Sequence, residues 1–199
     1  MTATALYQEA IATFRRLFDA ALQTGEPEPT AMTLATADAG GRVSARIVLL
    51  KEADERGFVF YTNYDSAKAA QLRQRRDAAL CILWKMLHHG VQVRVEGAVE
   101  AVSAAESDAY FATRPRESQI GAWASLQSQT LPDRATLEAR VAEYERRFAG
   151  QPVPRPPHWG GYRLVPDLLE FWYGQPFRLH ERVRYDCRDG VWTRRLLYP

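Results

Sequence analysis

Tyr110, Arg114, Arg116 and Ser118 fall within nine residues of one another, in the segment Tyr110-Phe-Ala-Thr-Arg114-Pro-Arg116-Glu-Ser118-Gln-Ile-Gly-Ala-Trp123. Just upstream, Ser103-Ala-Ala-Glu106 has capping-box spacing, which predicts a helix start. Tyr110 and Arg114 are four apart and would share one face of that helix. Pro115 bends or ends it, because the proline ring disfavours helical geometry at the preceding residue. Ser118 is then free to swing back toward the same point. Hydroxyl and guanidinium donors converging on one spot suit a phosphate monoester, whose acceptor oxygens carry negative charge. A solvated basic turn would have the same composition.

Two further groupings have chemical potential. Arg46-Ile47-Val48-Leu49-Leu50-Lys51 puts a cation at each end of an apolar strand. In a regular strand the two would point to opposite faces, so they serve two different anions or one is surface decoration. Tyr61-Thr62-Asn63 ends the next strand and precedes Ser66-Ala67-Lys68 at a helix start. Free N–H groups, a hydroxyl and a lysine there make either a phosphate site or an ordinary N-cap beside a solvated lysine. Farther on, Phe171-Trp172-Tyr173-Gly174 leads to Arg178-Leu179-His180-Glu181-Arg182. Arg178, His180 and Arg182 are expected to alternate on one side of a strand-like piece. Such like charges repel unless something anionic or electron-rich lies against them. A lone histidine is usually structural, but this one is flanked by cations, which favours a functional role.

The elements that must position these residues follow from periodicity. Residues 4–23 predict an amphipathic helix, with Leu6, Ile11, Phe14, Phe18 and Leu22 on its apolar stripe and Gly25, Pro27 and Pro29 ending it. Strands are expected at 31–37 and 43–50 around an Asp38-Ala-Gly-Gly turn, then at 57–62. A short helix runs from Ser66 to about Arg75, strands follow at 78–84 and 91–99, and a helical insert occupies residues 104–113. A longer helix spans 133–148, with Leu137, Val141, Tyr144 and Phe148 on one stripe. Three last strands fall at 160–166, 168–174 and 181–197, the last folded at Asp189-Gly190. Strand follows strand with helices inserted rather than alternating. That argues for an antiparallel β-barrel with peripheral helices and against a doubly wound α/β fold.

Bulk properties narrow the function. The chain has 199 residues, 46% hydrophobic and 25% charged, enough for one well-filled core in residues 1–199 as a single domain. A formal charge of +2 is too small to imply nucleic-acid binding. No apolar run approaches the roughly 20 residues of a membrane span, and the first residues lack the pattern of a secretory signal. Cys81 and Cys187 do not make a disulfide framework, so the expected setting is a reducing cytoplasm. The sequence has no Gly-rich nucleotide loop, Gly-x-Ser-x-Gly, Cys-x-x-Cys or His-Glu-x-x-His. Adjacent His88 and His89 would face opposite sides of a strand, a poor arrangement for a metal. The basic, aromatic and hydroxylic inventory points to phosphorylated, planar ligands and to redox chemistry supplied by a cofactor.

These pieces resemble the pyridoxine/pyridoxamine 5'-phosphate oxidase family. The matching motifs are Arg46-Ile-Val-Leu-Leu-Lys51, Phe60-Tyr-Thr-Asn63, Gln92-Val-Arg-Val-Glu-Gly97, the Tyr110–Trp123 segment, Gln127-Ser128, Trp159-Gly-Gly-Tyr162 and Glu170-Phe-Trp172 with Arg178-Leu-His-Glu-Arg182. They occur in the family's order along nearly the whole chain. The resemblance implies a mainly β, split-barrel homodimer with peripheral helices (helical inserts at about 104–149), binding FMN in two clefts at the subunit interface. It implies FMN contacts from Arg46, Ile47, Val48, Leu49, Leu50, Lys51, Tyr61, Thr62, Lys68, Gln92, Gln127, Ser128, Trp172 and Arg182. Substrate contacts would come from Lys51, Tyr110, Arg114 and Ser118 around the phosphate, and from Arg178, Leu179 and His180 over the pyridine ring, with Arg178 and His180 catalytic. The implied reaction oxidises pyridoxamine or pyridoxine 5'-phosphate to pyridoxal 5'-phosphate, with hydride passing to flavin N5 and O2 leaving as H2O2.

Three departures bear on affinity. Many family members carry arginine where Ala67 stands, beside the expected FMN phosphate. The chain starts close to the first family helix, without the longer basic arm of some relatives. Its Arg194-Arg-Leu-Leu-Tyr-Pro199 end holds one residue more than the usual Arg-Leu-x-Pro. The alternatives are a flavin oxidase of the phenazine-pathway type, acting on another ring system, and a non-catalytic FMN or pyridoxal phosphate carrier. Retention of the Tyr110, Arg114, Ser118 cluster favours a phosphorylated substrate over the first.

Overall fold

The computed structural model describes residues 3–199. The elements in chain order are α1 (Ala3–Leu22), β1 (Ala31–Ala37), β2 (Val43–Leu49), β3 (Glu52–Asp54), β4 (Gly57–Asn63), α2 (Ala67–Gln74), β5 (Asp77–Trp84) and β6 (Val91–Ala101). Then come α3 (Ala104–Thr113), α4 (Arg116–Ala124), α5 (Arg134–Arg147), β7 (Trp159–Tyr173), a 3-10 turn at Pro176–Arg178, β8 (Glu181–Arg188) and β9 (Val191–Leu197). The strands form one nine-stranded antiparallel sheet in the order β2-β1-β5-β6-β7-β4-β3, with β8 added to β7 and β9 to β8. It curls into a split half-barrel with helices at its periphery: the strand order predicts the antiparallel barrel and peripheral helices, and the family resemblance implies the split.

Alternation builds the core. Val91, Val93 and Val95 of β6 face inward with Leu169 and Phe171 of β7 and Leu80 and Ile82 of β5. Helix α1 closes the barrel with Ala10, Ile11, Phe14, Leu17 and Ala21, and the Phe14 ring meets Phe58 edge-on at 4.8 Å. The buried stripe therefore runs through Leu17 and Ala21, and Leu22, expected on it, is 48% exposed at the helix end. A smaller cluster of Phe111, Ile120, Phe148, Val153 and Trp159 lies under α3, α4 and α5. Helix α5 itself buries no residue, so its Leu137 and Val141 stripe packs only partially.

Four expectations are corrected. The strands expected at 160–166 and 168–174 are one continuous β7. It pairs with β6 along its length, with β4 through its first half (Asn63↔Trp159 to Phe58↔Leu164) and with β8 through its second (Leu168↔Asp186 to Tyr173↔Glu181). Pro166 lies where the partner changes, opposite a bulge at Glu96/Gly97, so its missing N–H costs no regular ladder bond. Pro115 both ends α3 and starts α4, a helix absent from the expected elements, because a helix start needs no N–H from proline. His88 and His89 lie in the turn before β6, not in a strand, and His88 is left-handed at φ 54°. Finally, residues 178–180 are not strand-like, as described below.

Glu106 ties the helical insert to the sheet. It completes the capping box on Ser103 and accepts from Arg163 Nη2 at 2.8 Å and Arg56 Nη1 at 2.9 Å. The Arg163 contact, then the Ser103 bonds, hold its carboxyl down at about 2, from an ordinary 4.5. A depressed carboxyl stabilises the fold fully above its unfolded value and loses that contribution as pH falls through its folded value. Glu106→Gln keeps the capping geometry but not the charge. Wild type should therefore be the more stable above pH 4.5, and urea midpoints of the two should converge as pH approaches 2.

Candidate active site

The ends of β2 and β4, the C-terminus of α3, the start of α4 and the loop after it surround a cavity of about 690 Å³. Ile47, Val48, Leu49, Lys51, Tyr61, Thr62, Lys68, Tyr110, Arg114, Ser118 and Gln127 all line it, so residues far apart in sequence converge as expected. Strand β2 ends at Leu49, and Lys51 follows it as an exposed side chain 6.0 Å from the Tyr110 ring centre. The helix-to-helix break at Pro115 brings Ser118, on the first turn of α4, to the same cavity as Tyr110 and Arg114.

Three nearly parallel rings form one wall. Tyr61 stacks on Tyr110 at 4.1 Å and on Trp159 at 5.3 Å. Gly161, opposite Tyr61 in the ladder, allows this, since a Cβ there would lie 2.8 Å from the Tyr61 ring. The Arg114 guanidinium sits 4.6 Å from the Trp159 ring centre and 5.5 Å from that of Phe111. Its Nη1 is buried without a hydrogen-bond partner. Burial pushes the Arg114 pKa down, with the Tyr110 hydroxyl opposing. A partly desolvated cation beside aromatic rings, with one N–H group lacking an acceptor, is suited to receive an anion.

A second cation lies at the other end. Lys68 Nζ donates to Thr62 Oγ1 (3.1 Å), Ser66 Oγ (3.3 Å) and Gln127 Oε1 (3.3 Å), all neutral acceptors. Burial first, and then nearby Arg46, push its pKa down. Ser66 caps α2 through the Ala69 N–H, and the Ala67 N–H donates to Ser128 Oγ at 3.1 Å, so Ser128 sits beside the helix start. Ser128 reaches that place with φ 71°.

Several expected site residues do not line the cavity. Leu50 is buried in the core. Arg46 is not in the lining; its guanidinium donates to Leu34 O, Thr36 Oγ1 and Gln71 Oε1, near Lys68, and the expected strand alternation with Lys51 does not apply because β2 ends at Leu49. Gln92, Trp172 and Arg182 lie side by side across β6, β7 and β8, on the sheet face opposite the core valines. Arg178, Leu179 and His180 precede β8 in the 3-10 turn and the residues after it, where Phe177 (φ 59°) and Arg178 (φ 63°) are both left-handed. The expected alternation of Arg178, His180 and Arg182 along a strand therefore fails. Consecutive left-handed non-glycine residues break the period, at about 1–2 kcal/mol each.

The turn is closed by His180. Its Nδ1 accepts the Gln175 N–H at 3.1 Å, so in the neutral ring the proton is on Nε2, and the ring lies 4.4 Å from that of Trp172. Asparagine can mimic Nδ1 and glutamine Nε2. If His180 holds the Arg178 turn, His180→Asn should retain most of kcat while His180→Gln loses it. Steady-state kinetics with both variants gives the answer, and the reverse order would mean that Nε2 carries the role.

Spacing arguments gave no site role to Trp159, Asn63, Thr113, Gly121, Ala122 or Ser125, which also line the cavity. Trp159, Asn63, Thr113, Gly121 and Ala122 stand in motifs noted above, and that was their only signal; Ser125 stands in none.

Residues 18–148 match the family described as "Pyridoxamine 5'-phosphate oxidase", and residues 159–199 match the "Pyridoxine 5'-phosphate oxidase C-terminal dimerisation region". The chain belongs to the pyridoxamine 5'-phosphate oxidase family. Relatives named pyridoxine/pyridoxamine 5'-phosphate oxidase include one from Xanthomonas euvesicatoria, 58% identical over 98% of this chain and 100% of its own. Another, from Myxococcus xanthus, is 56% identical over 96% of this chain and 92% of its own. The crystal structure of PhzG from Burkholderia lata in complex with tetrahydrophenazine-1-carboxylic acid superposes with a TM-score of 0.89 at 33% identity, covering 95% of this chain and 92% of that one. In this pyridoxamine 5'-phosphate oxidase family member the cavity draws all but Trp159 from the first matched region. Trp172, Arg178, His180 and Arg182 belong to the dimerisation region. Among the described residues no helix is long and apolar enough to cross a membrane.

Proposed function

We propose that this chain is an FMN-dependent oxidase converting pyridoxamine 5'-phosphate and pyridoxine 5'-phosphate to pyridoxal 5'-phosphate, working in the cytoplasm as a homodimer. The observation that carries this is the buried Arg114 Nη1 without an acceptor, in the same cavity as a second desolvated cation, Lys68, whose partners are all neutral. Two such cations suit two phosphate tails. Lys68, the α2 start and Gln127-Ser128 fit the FMN phosphate. Arg114, Lys51, Tyr110 and Ser118 fit that of the substrate.

When bound, FMN supplies the hydride acceptor and returns the electrons to O2. The protein's part is to bind and orient. Among the described residues no aspartate, glutamate or histidine of the same chain lines the cavity, so the part its own lining can play is to orient the reactants. Gln92, Trp172 and Arg182, with Arg178 and His180, lie outside this cavity and mostly within the dimerisation region. We assign them to the neighbouring subunit's cleft, where Arg178 and His180 cover the pyridine ring.

The test is an oxygen-electrode assay of purified protein with each phosphorylated vitamer, with and without FMN. Oxygen consumption, aldehyde formation and a yellow protein are expected. A colourless protein that binds only pyridoxal phosphate would mean a carrier, and a yellow one inert to both vitamers would point to another ring system. Ala67, exposed at the start of α2, offers the phosphate no cation. Ala67→Arg should tighten FMN by about 10-fold or more, as one charge-assisted contact of roughly 1.5–3 kcal/mol allows. Flavin fluorescence titration of apoprotein measures it.

A further inference from the structure

Glu170 is a carboxylate 2% exposed, on the sheet face that faces away from the core. Its ladder neighbours are Arg94 on β6 and Arg184 on β8. Arg184 is taken by Asp186 of its own strand, and Arg94 by Glu96. Arg182 alone reaches Glu170 closely, with Nε at 3.0 Å and Nη2 at 2.7 Å from the same oxygen, Oε1. The other oxygen, Oε2, is buried without a hydrogen-bond partner among the described residues, with Arg94 Nη1 3.6 Å away. At its far end Arg182 donates from Nη1 to the Tyr198 carbonyl at 3.1 Å.

Arg182 is therefore gripped on two sides, and its flat guanidinium cannot turn about its long axis. Three of its five N–H groups are spent, and one remains on each terminal nitrogen. A buried carboxylate is costly to keep unless it does something a well-packed apolar residue cannot. Mere fixing of the strands does not need it, because Phe171, Leu169 and Val183 already pack on the core side.

The geometry points to Glu170 as the positioning residue for Arg182: it holds the guanidinium so that its two spare N–H groups face the flavin. This rests on the reading that Arg182 contacts FMN. Glu170 touches no ligand and acts only through Arg182. Lysine in place of Arg182 would keep the charge but lose the fixed fork.

The experiment is a double-mutant cycle read as FMN affinity of apoprotein, by quenching of flavin fluorescence, with folding checked by circular dichroism. Glu170→Gln should weaken FMN at least 10-fold in the wild-type background and add nothing to Arg182→Ala. Equal weakening in both backgrounds would mean a structural role and overturn the inference, as would unchanged affinity of Glu170→Gln. If Glu170→Gln does not fold, Arg182→Lys serves instead. A loss comparable to Arg182→Ala supports the fork, and wild-type affinity overturns it. Wild-type protein that takes up no FMN would fail the proposed function and this inference together, whereas normal uptake by wild type and Glu170→Gln alike would fail the inference alone.

Discussion

Arg114→Ala should raise KM for pyridoxamine 5'-phosphate by about 10- to 100-fold, the loss of one hydrogen-bonded charge contact of roughly 1.5–3 kcal/mol. Unphosphorylated pyridoxamine should lose nothing, so the two substrates converge in the variant. The reason is local. Arg114 is held over Trp159 and Phe111, with a buried Nη1 that no oxygen among the described residues satisfies. In the resting protein that is a cost, which on the proposed function the substrate phosphate would offset. Arg114→Leu, which trades the unpaired nitrogen for an apolar group beside the same rings, should accordingly unfold at no lower urea concentration than wild type. Steady-state kinetics with both substrates and a urea titration of the apoprotein test the pair. Equal loss of both substrates would remove Arg114 from the phosphate site.

On the proposed assignment, in which Arg178 covers the substrate rather than the cofactor, Arg178→Ala should cut turnover on the order of 100-fold while flavin content stays near one per chain. Arg178 is exposed and left-handed, on a turn closed by Leu179 N–H to Pro176 O and by Gln175 N–H to His180. Neighbouring Phe177 is also left-handed and 92% exposed. Conformations that cost free energy persist where the surroundings impose them, and here they present one guanidinium. Absorbance of the bound flavin and single-turnover reduction by pyridoxamine 5'-phosphate separate the two readouts. Parallel loss of flavin and rate would instead give Arg178 a role in holding the cofactor.

What the sequence disclosed was local. The Ser103–Glu106 box and the Ser66 cap depend on neighbours in the chain and stand in the structure; Tyr110 and Arg114 do meet at the cavity, though Arg114 is the extended residue that ends α3 rather than a member of its face. The family motifs supplied the long-range groupings. Two kinds of feature stayed hidden. Phe177 and Arg178 carry no glycine or asparagine signal for positive φ, so a regular strand was the natural expectation. Pro166 normally marks a strand end, yet here it coincides with the bulge where β7 exchanges β4 for β8. Trp159 took its place beside Arg114 through packing of β7 against α3, which no spacing in the chain encodes. The missing acceptor on Arg114 is likewise a property of the folded surroundings alone.

The separation of the cavity from the Arg178 turn also has a genetic consequence. If each cleft takes Arg114 from one protomer and Arg178 from the other, two impaired alleles can repair each other. Co-expressed Arg114→Ala and Arg178→Ala chains would form hybrid pairs in which one cleft collects both lesions and the other collects neither. A strain carrying both alleles should grow faster without pyridoxal than a strain carrying either allele by itself.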